Sequence, residues 1–164
     1  MQQTPPASPL LLRPATRNDV AEIHSVHVRA IRQLGRNAYS EAECESWASG
    51  LKPERYEESM TEGGQTFLVA EDDDGICGFC SFKDSEVIGL YVDPRLARCG
   101  LGAQLLKNAE AAIAAAGHEG VKLEAALSAK AFYLSQGYQH IRDRRTNTRG
   151  GIEVGVCDFE KQIS

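Results

Sequence analysis

The chain has 164 residues, of which 42% are apolar and 25% charged, a composition that fits one globular domain and excludes wholesale disorder. Its formal net charge of −5 opposes the basic surface expected of a nucleic-acid-binding protein. The sequence has no run of about 18 apolar residues and no signal-like start. We therefore expect a cytoplasmic protein that binds neither nucleic acid nor a membrane.

The chain opens with a segment, residues 1–9, that holds three prolines and few apolar side chains. We expect it to be a disordered lead to one domain that spans residues 10–164. A short strand at 10–13 begins that domain, and the Thr16–Asp19 pattern predicts a helix start by the capping-box rule. Apolar residues then recur at helical spacing up to Gly35, which predicts the end of that helix.

The later elements alternate between helices and strands. The helices are located by capping boxes, a proline in a first helical turn and glycines at helix ends, and the strands by period-two alternation. The predicted helices follow Ser40 and occupy Pro53–Met60, Ala103–Ala116 and Ser128–Gln136, and the predicted strands are Thr66–Ala70, Ile76–Phe82, Glu86–Val92, Val121–Ala125, Tyr138–Arg145 and Ile152–Phe159. This order predicts an α/β (α+β) fold in which a mixed sheet carries helices on both faces.

The turn between the strand ending at Val92 and the longest helix contains two glycines. Its residues are Arg98, Cys99, Gly100, Leu101, Gly102 and Ala103. A glycine-containing turn that opens a helix exposes unpaired N–H groups at the positive end of the helix dipole, which suits a phosphate or pyrophosphate. Two other phosphate motifs fail, because Leu105 stands where a dinucleotide fold needs its third glycine and the sequence has no Gly-Lys pair. The turn alone is also compatible with glycines that serve only a tight helix start.

In its context, this turn resembles the pyrophosphate loop of the GNAT superfamily, the acyl-CoA-dependent N-acyltransferases. The family pattern is a strand ending near Val-x-Pro, then (Arg/Gln)-x-x-Gly-x-(Gly/Ala), then an amphipathic helix, as in residues 92–106 here. A second stretch, 123–138, resembles the family's second CoA-contacting block and lies at the family's separation from the first. The resemblance covers the chain from near Leu10 to the C-terminus. It departs at Ala97, in place of Arg or Gln, and at Ser128, in place of Asn.

The resemblance implies a GNAT fold, with roughly seven strands that splay apart between strands 4 and 5 around coenzyme A. Gly89 is expected to mark a bulge or close approach there. The implied activity is transfer of acetyl from acetyl-CoA to a primary amine of a small molecule or peptide, by direct attack through a tetrahedral intermediate and without a metal. A homodimer stays open, because the closing strands pair between subunits in some members. The two departures leave a second hypothesis, a catalytically weak acyl-CoA-binding or sensing module.

For chemistry, the resemblance implies that Tyr133 is the general acid that protonates the departing thiolate. Glu86, at the start of the fourth strand, is the implied base, with a relay of ordered waters as the alternative and with Glu22, Tyr39 and Glu41 as weaker candidates. Backbone N–H groups of the fourth strand are expected to stabilise the oxyanion. The residues expected to bind the cofactor are Leu90, Tyr91, Val92, Arg98, Cys99, Gly100, Leu101, Gly102, Ala103, Ser128, Lys130 and Tyr133.

Other groups of reactive side chains favour structural roles. Cys77 and Cys80 lie in one strand, where strict alternation places them on opposite faces, so we expect core thiols rather than a metal or redox pair. The odd number of cysteines predicts free thiols. His24 and His27 lack further ligands that would complete a metal site and are expected to be structural.

The distribution of charge bears on the acceptor. A basic patch is expected to be a solvated face, with contact to an acidic substrate or to the CoA 3′-phosphate as the alternative. It comprises Arg142, Arg144, Arg145 and Arg149. The acidic domain favours a cationic acceptor such as a polyamine, an aminoglycoside or a lysine side chain.

Overall fold

The computed structural model describes residues 10–163, so the predicted lead at 1–9 lies outside the described part of the chain. The strands are β1 (Leu11–Pro14), β2 (Thr66–Asp72), β3 (Gly75–Lys83), β4 (Glu86–Val92), β5 (Gly120–Ala126), β6 (Gln139–Asn147) and β7 (Glu153–Gln162). They form one mixed sheet in the order β1-β2-β3-β4-β5-β7-β6. The helices are α1 (Val20–Leu34), α2 (Glu41–Ser49), α3 (Pro53–Thr61), α4 (Leu101–Ala115) and α5 (Lys130–Ser135).

The predicted order of elements is confirmed. The Ser40 capping box fixes the start of α2, because the Glu43 N–H donates to Ser40 Oγ at 3.1 Å and the Ser40 N–H donates to Glu43 Oε1 at 2.9 Å. α5 is shorter than predicted, since residues 127–129 form a separate 3-10 turn. α4 begins two residues earlier than predicted, directly after Gly100, whose left-handed φ of 82° turns the chain into the helix.

Helices cover both faces of the sheet. α4 and α5 pack on one face over a core that includes Leu105, Tyr133 and Phe159. α1, α2 and α3 pack on the other face, over cores that include Ile23 and Phe79. Burying an apolar layer on each side of the sheet is the main driving force for this architecture. In residues 10–163, none of the helices is long and apolar enough to cross a bilayer.

The five cysteines are free thiols, as predicted, and four of them are buried. Cys77 and Cys80 are core residues, but the prediction that they lie on opposite faces is wrong. A bulge in β3 leaves Cys77 unpaired between Ile76 and Gly78, and both thiols belong to the core cluster beneath α4. The extra residue interrupts the alternation on which the prediction rested.

β4 and β5 separate soon after they meet. Within the described residues they pair in parallel at Glu86–Lys122 and Val87–Leu123 alone, whereas β4 stays paired with β3 up to Val92 and β5 with β7 up to Ala126. A register shift in β4 beside Gly89 accompanies the divergence. The predicted splay and bulge are therefore confirmed, and they open a cleft in the middle of the sheet.

Candidate active site

A cleft of about 550 Å³ occupies the gap between β4 and β5. Its walls come from both faces of the sheet. The β4–α4 turn, the start of α4 and α5 form one end, and α1, α2 and the segment between them form the other. Because the two ends are continuous through the gap, a ligand held at one end can meet a second ligand held at the other.

The first end of the cleft is built around the glycine turn. Gly100 and Arg98 both adopt left-handed backbone conformations, with φ of 82° and 63°. The N–H groups in the first turn of a helix have no acceptor within the helix. No side chain caps α4, so its first N–H groups are open to a ligand. A Cβ at Gly102 would touch the Phe132 ring at 3.5 Å, which shows how closely α5 approaches this turn. This end therefore offers N–H donors and a positive helix dipole to an anion.

Asp93 fixes the glycine turn to α1. It is 2% exposed and accepts hydrogen bonds from the Arg95 N–H at 3.0 Å and from the Arg29 guanidinium at 2.7 Å. Burial would raise the pKa of Asp93, but these hydrogen bonds outweigh burial and hold the pKa below its usual value. The predicted end of the fourth strand at Val92 is confirmed, and residues 94–96 form a 3-10 turn.

Tyr133 lines the cleft from α5. Its ring packs against Phe132, Tyr138 and Phe159 at centroid distances of 5.1, 5.6 and 5.9 Å. No hydrogen bond within residues 10–163 uses the hydroxyl, so it can bond to a ligand in the cleft that Tyr133 lines. Burial raises the pKa of Tyr133 well above that of free tyrosine, so the hydroxyl keeps its proton at neutral pH.

The backbone of β4 forms the floor of the gap. Leu90, Tyr91 and Val92 line the cleft in the stretch where β4 has no partner in β5. Successive N–H groups of a strand point to alternate sides, so those on the β5 side face the cleft. Such donors are suited to stabilise a negatively charged oxygen.

The second end of the cleft is walled mainly by apolar and aromatic side chains. Ile31 and Leu34 come from α1, Trp47 from α2, and Tyr91 from β4. The Tyr39 ring packs edge-on against Trp47 with centroids 5.5 Å apart. This end is therefore suited to an apolar ligand more than to an extended polar one.

Glu124 supplies a carboxylate to the cleft that the sequence analysis missed. It lies on β5, and among the described residues it is the single acid in the lining. Arg144 donates a hydrogen bond to Glu124 Oε2 and also donates from Nε to Asp158 Oδ2 at 2.9 Å. The signal was present, because alternation in β5 turns Glu124 away from the buried side chains of Leu123 and Ala125.

The structure does not bring Glu86 to the cleft. Glu86 is an exposed residue at the first position of β4, where β4 still pairs with β5, and the lining begins one residue later. Glu22 and Glu41 also lie outside the lining. Glu22 Oε2 accepts a hydrogen bond from the Ile76 N–H at 2.7 Å, and Glu41 is exposed in the first turn of α2. These three carboxylates are therefore poorly placed to act as a base.

Tyr39 lines the cleft, but its hydroxyl is already committed. It donates to the Gly155 carbonyl at 2.5 Å and accepts from the Leu127 N–H at 2.8 Å. Burial raises the pKa of Tyr39 above its usual value. Tyr39 therefore acts as a bridge between the start of α2, the end of β5 and the start of β7.

Most of the residues expected to bind the cofactor line the cleft, and three do not. Leu101 is 1% exposed and contributes its side chain to the core, although its N–H lies in the first turn of α4. Cys99 is exposed, and Lys130 at the start of α5 is outside the lining. The expected residues in the lining are Leu90, Tyr91, Val92, Arg98, Gly100, Gly102, Ala103, Ser128 and Tyr133.

The two helix α1 histidines make contacts typical of structural residues. His27 Nδ1 lies 2.8 Å from the Tyr56 hydroxyl, and His24 Nε2 lies 3.2 Å from the Leu51 carbonyl oxygen. Burial lowers the pKa of His27 to about 3, so this imidazole is neutral at pH 7. Both side chains thus connect α1 to the segment around α3.

One group in the described residues combines potential metal ligands. The ligand atoms of His140, Asp143 and Cys157, on β6 and β7, lie within 4.8 Å of one another. The Cys157 thiol donates to Asp143 Oδ1 at 3.1 Å, and His140 Nε2 lies 2.7 Å from the same oxygen. Burial raises the pKa of Cys157 to about 11, which disfavours the thiolate that a metal requires.

The basic patch near the last hairpin is largely neutralised by neighbouring carboxylates. Arg142 and Arg144 both form ion pairs with Asp158. Arg145 forms an ion pair with Glu153. Paired surface arginines of this kind fit the predicted solvated face.

The sheet splayed between its fourth and fifth strands, beside a glycine turn that opens a helix, is the arrangement of a GNAT acetyltransferase. The family model described as Acetyltransferase (GNAT) domain matches residues 36–154. The chain therefore belongs to the GNAT acetyltransferase family.

Individual proteins share this similarity over most of the chain. A crystal structure from Rhodopseudomonas palustris, described as a GCN5-related N-acetyltransferase, aminotransferase class II, is 26% identical with a TM-score of 0.87 and 99% coverage of both chains. PaiA N-acetyltransferase of Thermoplasma acidophilum, solved with coenzyme A, shares the fold at 20% identity and a TM-score of 0.75, over 94% of this chain and 99% of that one. YafP of Escherichia coli (strain K12), an uncharacterised N-acetyltransferase, is 24% identical over 80% of this chain and 83% of its own length.

Proposed function

We propose that this protein transfers acetyl from acetyl-CoA to a primary amine. The observation that carries this proposal is the continuous cleft, which joins a turn suited to an anion at one end to a separate apolar pocket at the other. Membership of an acetyltransferase family supports the acetyl group as cargo. Proteins of the same fold have been solved with coenzyme A, as for PaiA, and with acetyl-CoA, as for YncA of Salmonella typhimurium.

In this proposal, acetyl-CoA enters from the α4 end. The N–H groups of the first turn of α4 hold the pyrophosphate, with the exposed Arg98 side chain beside it as a positive charge. The pantetheine arm runs along β4 between Leu90 and Val92, with the Ser128 hydroxyl within its reach on the opposite wall. Ala97, which stands where the family pattern has Arg or Gln, does not disturb this phosphate-binding turn, because the turn binds through backbone N–H groups.

The reaction is direct transfer. The amine nitrogen attacks the thioester carbonyl carbon, the C–N bond forms, and the carbonyl oxygen becomes an oxyanion that β4 N–H groups stabilise. Collapse of this intermediate breaks the C–S bond, and the departing sulfur takes its proton from the Tyr133 hydroxyl. An alkyl amine has a pKa of about 10, so its nitrogen loses one proton before attack and a second as the amide forms, in both cases through water or to the Glu124 carboxylate. One of these protons returns Tyr133 to its neutral form, and the other is released to water. Glu86 lies outside the cleft and has no part in this step.

Thermal unfolding with acetyl-CoA, CoA, NAD and ATP tests the proposal. A ligand at about 100 times its dissociation constant adds about 2.7 kcal/mol to the free energy of unfolding, so acetyl-CoA and CoA should raise the melting temperature while NAD and ATP should not. Thiol release from acetyl-CoA in the presence of amines then reports transfer. Stabilisation without thiol release for any amine would support the acyl-CoA-sensing alternative, and the absence of stabilisation would overturn both.

A further inference from the structure

The acceptor end of the cleft has an unusual balance of apolar surface and charge. Its walls are the side chains of Ile31, Leu34, Tyr39, Trp47 and Tyr91. In the described residues, two charged side chains line the whole cleft, Arg98 beside the glycine turn and Glu124 on β5. The acceptor end therefore offers a single carboxylate within a largely apolar surface.

Glu124 is held in place from outside the cleft. Arg144 binds its Oε2 and is itself fixed by Asp158, whose Oδ1 and Oδ2 accept from Arg144 Nε at 3.1 and 2.9 Å. Glu124 Oε1 has no hydrogen-bond partner within residues 10–163 and its side chain is 43% exposed. One carboxylate oxygen is thus oriented by an arginine while the other remains open to a ligand in the cleft.

Glu124 also lies on the correct face of the sheet for an acceptor. It is adjacent in register to Asp158, and Val154 and Val156 of the same β7 face pack against Tyr39 and α2. The cofactor turn, by contrast, lies beside α4 and α5. A group bound to Glu124 therefore approaches the gap from the α1–α2 side.

We propose that the acceptor is a primary monoamine with an apolar, preferably ring-bearing body, whose ammonium group binds Glu124 Oε1 while its body packs between Trp47 and Leu34. This inference rests on the proposed acetyl transfer. Polyamines and aminoglycosides carry several separated cations, each of which needs its own acceptor when desolvated, and this end of the cleft supplies a single acid. The acceptor expected from the acidic composition, any cationic amine, is thereby narrowed to an amine with one positive charge and an apolar body.

Thiol release with a matched set of amines tests this assignment. The set is 2-phenylethylamine, ethanolamine, spermidine, kanamycin and a lysine peptide, each with saturating acetyl-CoA. We expect kcat/KM for 2-phenylethylamine to exceed that for each polar amine by at least roughly tenfold, the effect of burying one apolar group of this size. A preference for spermidine, kanamycin or the peptide would overturn the substrate class while leaving acetyl transfer in place.

Two variants test the residues. Glu124→Gln keeps the side-chain size and should lower kcat/KM for 2-phenylethylamine about a hundredfold, with an unchanged thermal shift on acetyl-CoA binding. Glu160→Gln is the matched control, since Glu160 is an exposed glutamate on the same face of the neighbouring strand β7 and should change neither quantity. Equal activities of Glu124→Gln and the control would overturn the role of Glu124.

The aromatic wall requires its own comparison. Trp47→Phe should raise KM for 2-phenylethylamine and leave KM for methylamine unchanged, because methylamine has no body to pack against the ring. A parallel rise for both amines would contradict the packing.

If acetyl-CoA fails to stabilise the wild-type chain, acetyl transfer itself is wrong, whereas stabilisation with transfer to polar amines alone refutes only the substrate class. Stabilisation without transfer to any amine refutes the substrate class and the enzymatic role together.

Discussion

Two tyrosine hydroxyls in the wall of the cleft have opposite surroundings. The Tyr39 hydroxyl donates to the Gly155 carbonyl and accepts from the Leu127 N–H, so both of its hydrogen-bonding directions are used. The Tyr133 hydroxyl has no partner within residues 10–163 and belongs to a residue that lines the cleft. At the scale of single residues, the first hydroxyl should matter for stability and the second for turnover.

Replacement of Tyr133 by phenylalanine should therefore reduce turnover. The variant loses the proton donor to the departing thiolate, and we expect kcat to fall about a hundredfold with little change in acetyl-CoA affinity. Steady-state thiol release and a thermal shift titration measure the two effects. An unchanged kcat would exclude Tyr133 as the acid, and a matching loss of acetyl-CoA affinity would indicate a binding role.

Replacement of Tyr39 by phenylalanine should instead reduce stability. It leaves the Gly155 carbonyl and the Leu127 N–H without their partner, at a cost of about 1–3 kcal/mol in the free energy of unfolding. Urea denaturation measures this loss. Tyr133→Phe is the matched control, because it removes a hydroxyl with no bond to lose, and it should shift the free energy of unfolding by less than about 0.5 kcal/mol. Equal destabilisation in both variants would contradict the bridging role of Tyr39.

The placement of carboxylates shows the limit of sequence reasoning at this scale. Glu86 and Glu124 both lie on strands beside the splay, and a motif can locate each strand. Whether a residue faces the cleft depends on where β4 and β5 separate. They separate after the two pairs Glu86–Lys122 and Val87–Leu123, beside a bulge in β4. These features arise from contacts between distant segments, so the sequence placed Tyr133 at the site but not Glu124.

At the scale of elements, helix α4 carries a glycine with a positive φ at each end. Gly100 has φ of 82° and Gly117 has φ of 98°, and a Cβ at either position would meet open space within 4 Å. Substitution by alanine should therefore cost stability through backbone strain alone, by about 1 kcal/mol or more at each site. The two ends differ in function, because only Gly100 adjoins the cleft.

This pair of glycines gives a matched test of the anion-binding turn. We expect Gly100→Ala and Gly117→Ala to lower the melting temperature to a similar extent. Gly100→Ala should in addition weaken acetyl-CoA binding by about tenfold or more, since a strained turn misaligns the N–H donors. Isothermal titration calorimetry measures the affinity. Equal affinities in the two variants would show that the turn does not hold the cofactor.

Local signals predicted the elements better than the interruptions within them. The Ser40 capping box and the end of β4 at Val92 depend on neighbouring residues, and both are as the sequence predicts. The bulge at Cys77 depends on the register with β2, and the division of residues 127–135 into a 3-10 turn and α5 depends on packing against β7 and Tyr39. Such features require the assembled sheet.

At the scale of the whole molecule, the cleft lies at the weakest joint of the sheet. Among the described residues, two ladder pairs connect the β1–β4 half to the β5–β7 half. Other contacts span the joint: α4 packs against both halves, and the Tyr39 bridge ties the α1–α2 connection to β5 and β7. The sheet can stay open at its centre because contacts of α4 and Tyr39 hold its two halves together where β4 and β5 do not pair.

Acid should weaken this structure through two sets of groups whose pH ranges overlap only near pH 3 to 4. Burial lowers the pKa of His27 to about 3, so between pH 6.5 and 3 the unfolded chain binds a proton there that the folded chain excludes. The free energy of unfolding should fall by up to about 1.4 kcal/mol per pH unit across that range. Below about pH 4, the carboxylates of Asp19 and Asp158 add to the loss, because arginines lower their pKa values in the folded state. Urea denaturation at pH 7, 5.5 and 4.5 measures the first range.

The variant His27→Gln isolates the contribution of His27. Glutamine cannot take up the proton, so the free energy of unfolding of the variant should be nearly independent of pH between 6.5 and about 4.5. At pH 7 the variant should be less stable than the wild type, because the packing against Tyr91 and the hydrogen bond to Tyr56 are altered. A slope that persists in His27→Gln would place the titrating group elsewhere. A slope that disappears would show that the buried imidazole, held between α1 and β4 behind the acceptor pocket, makes the protein sensitive to mild acid.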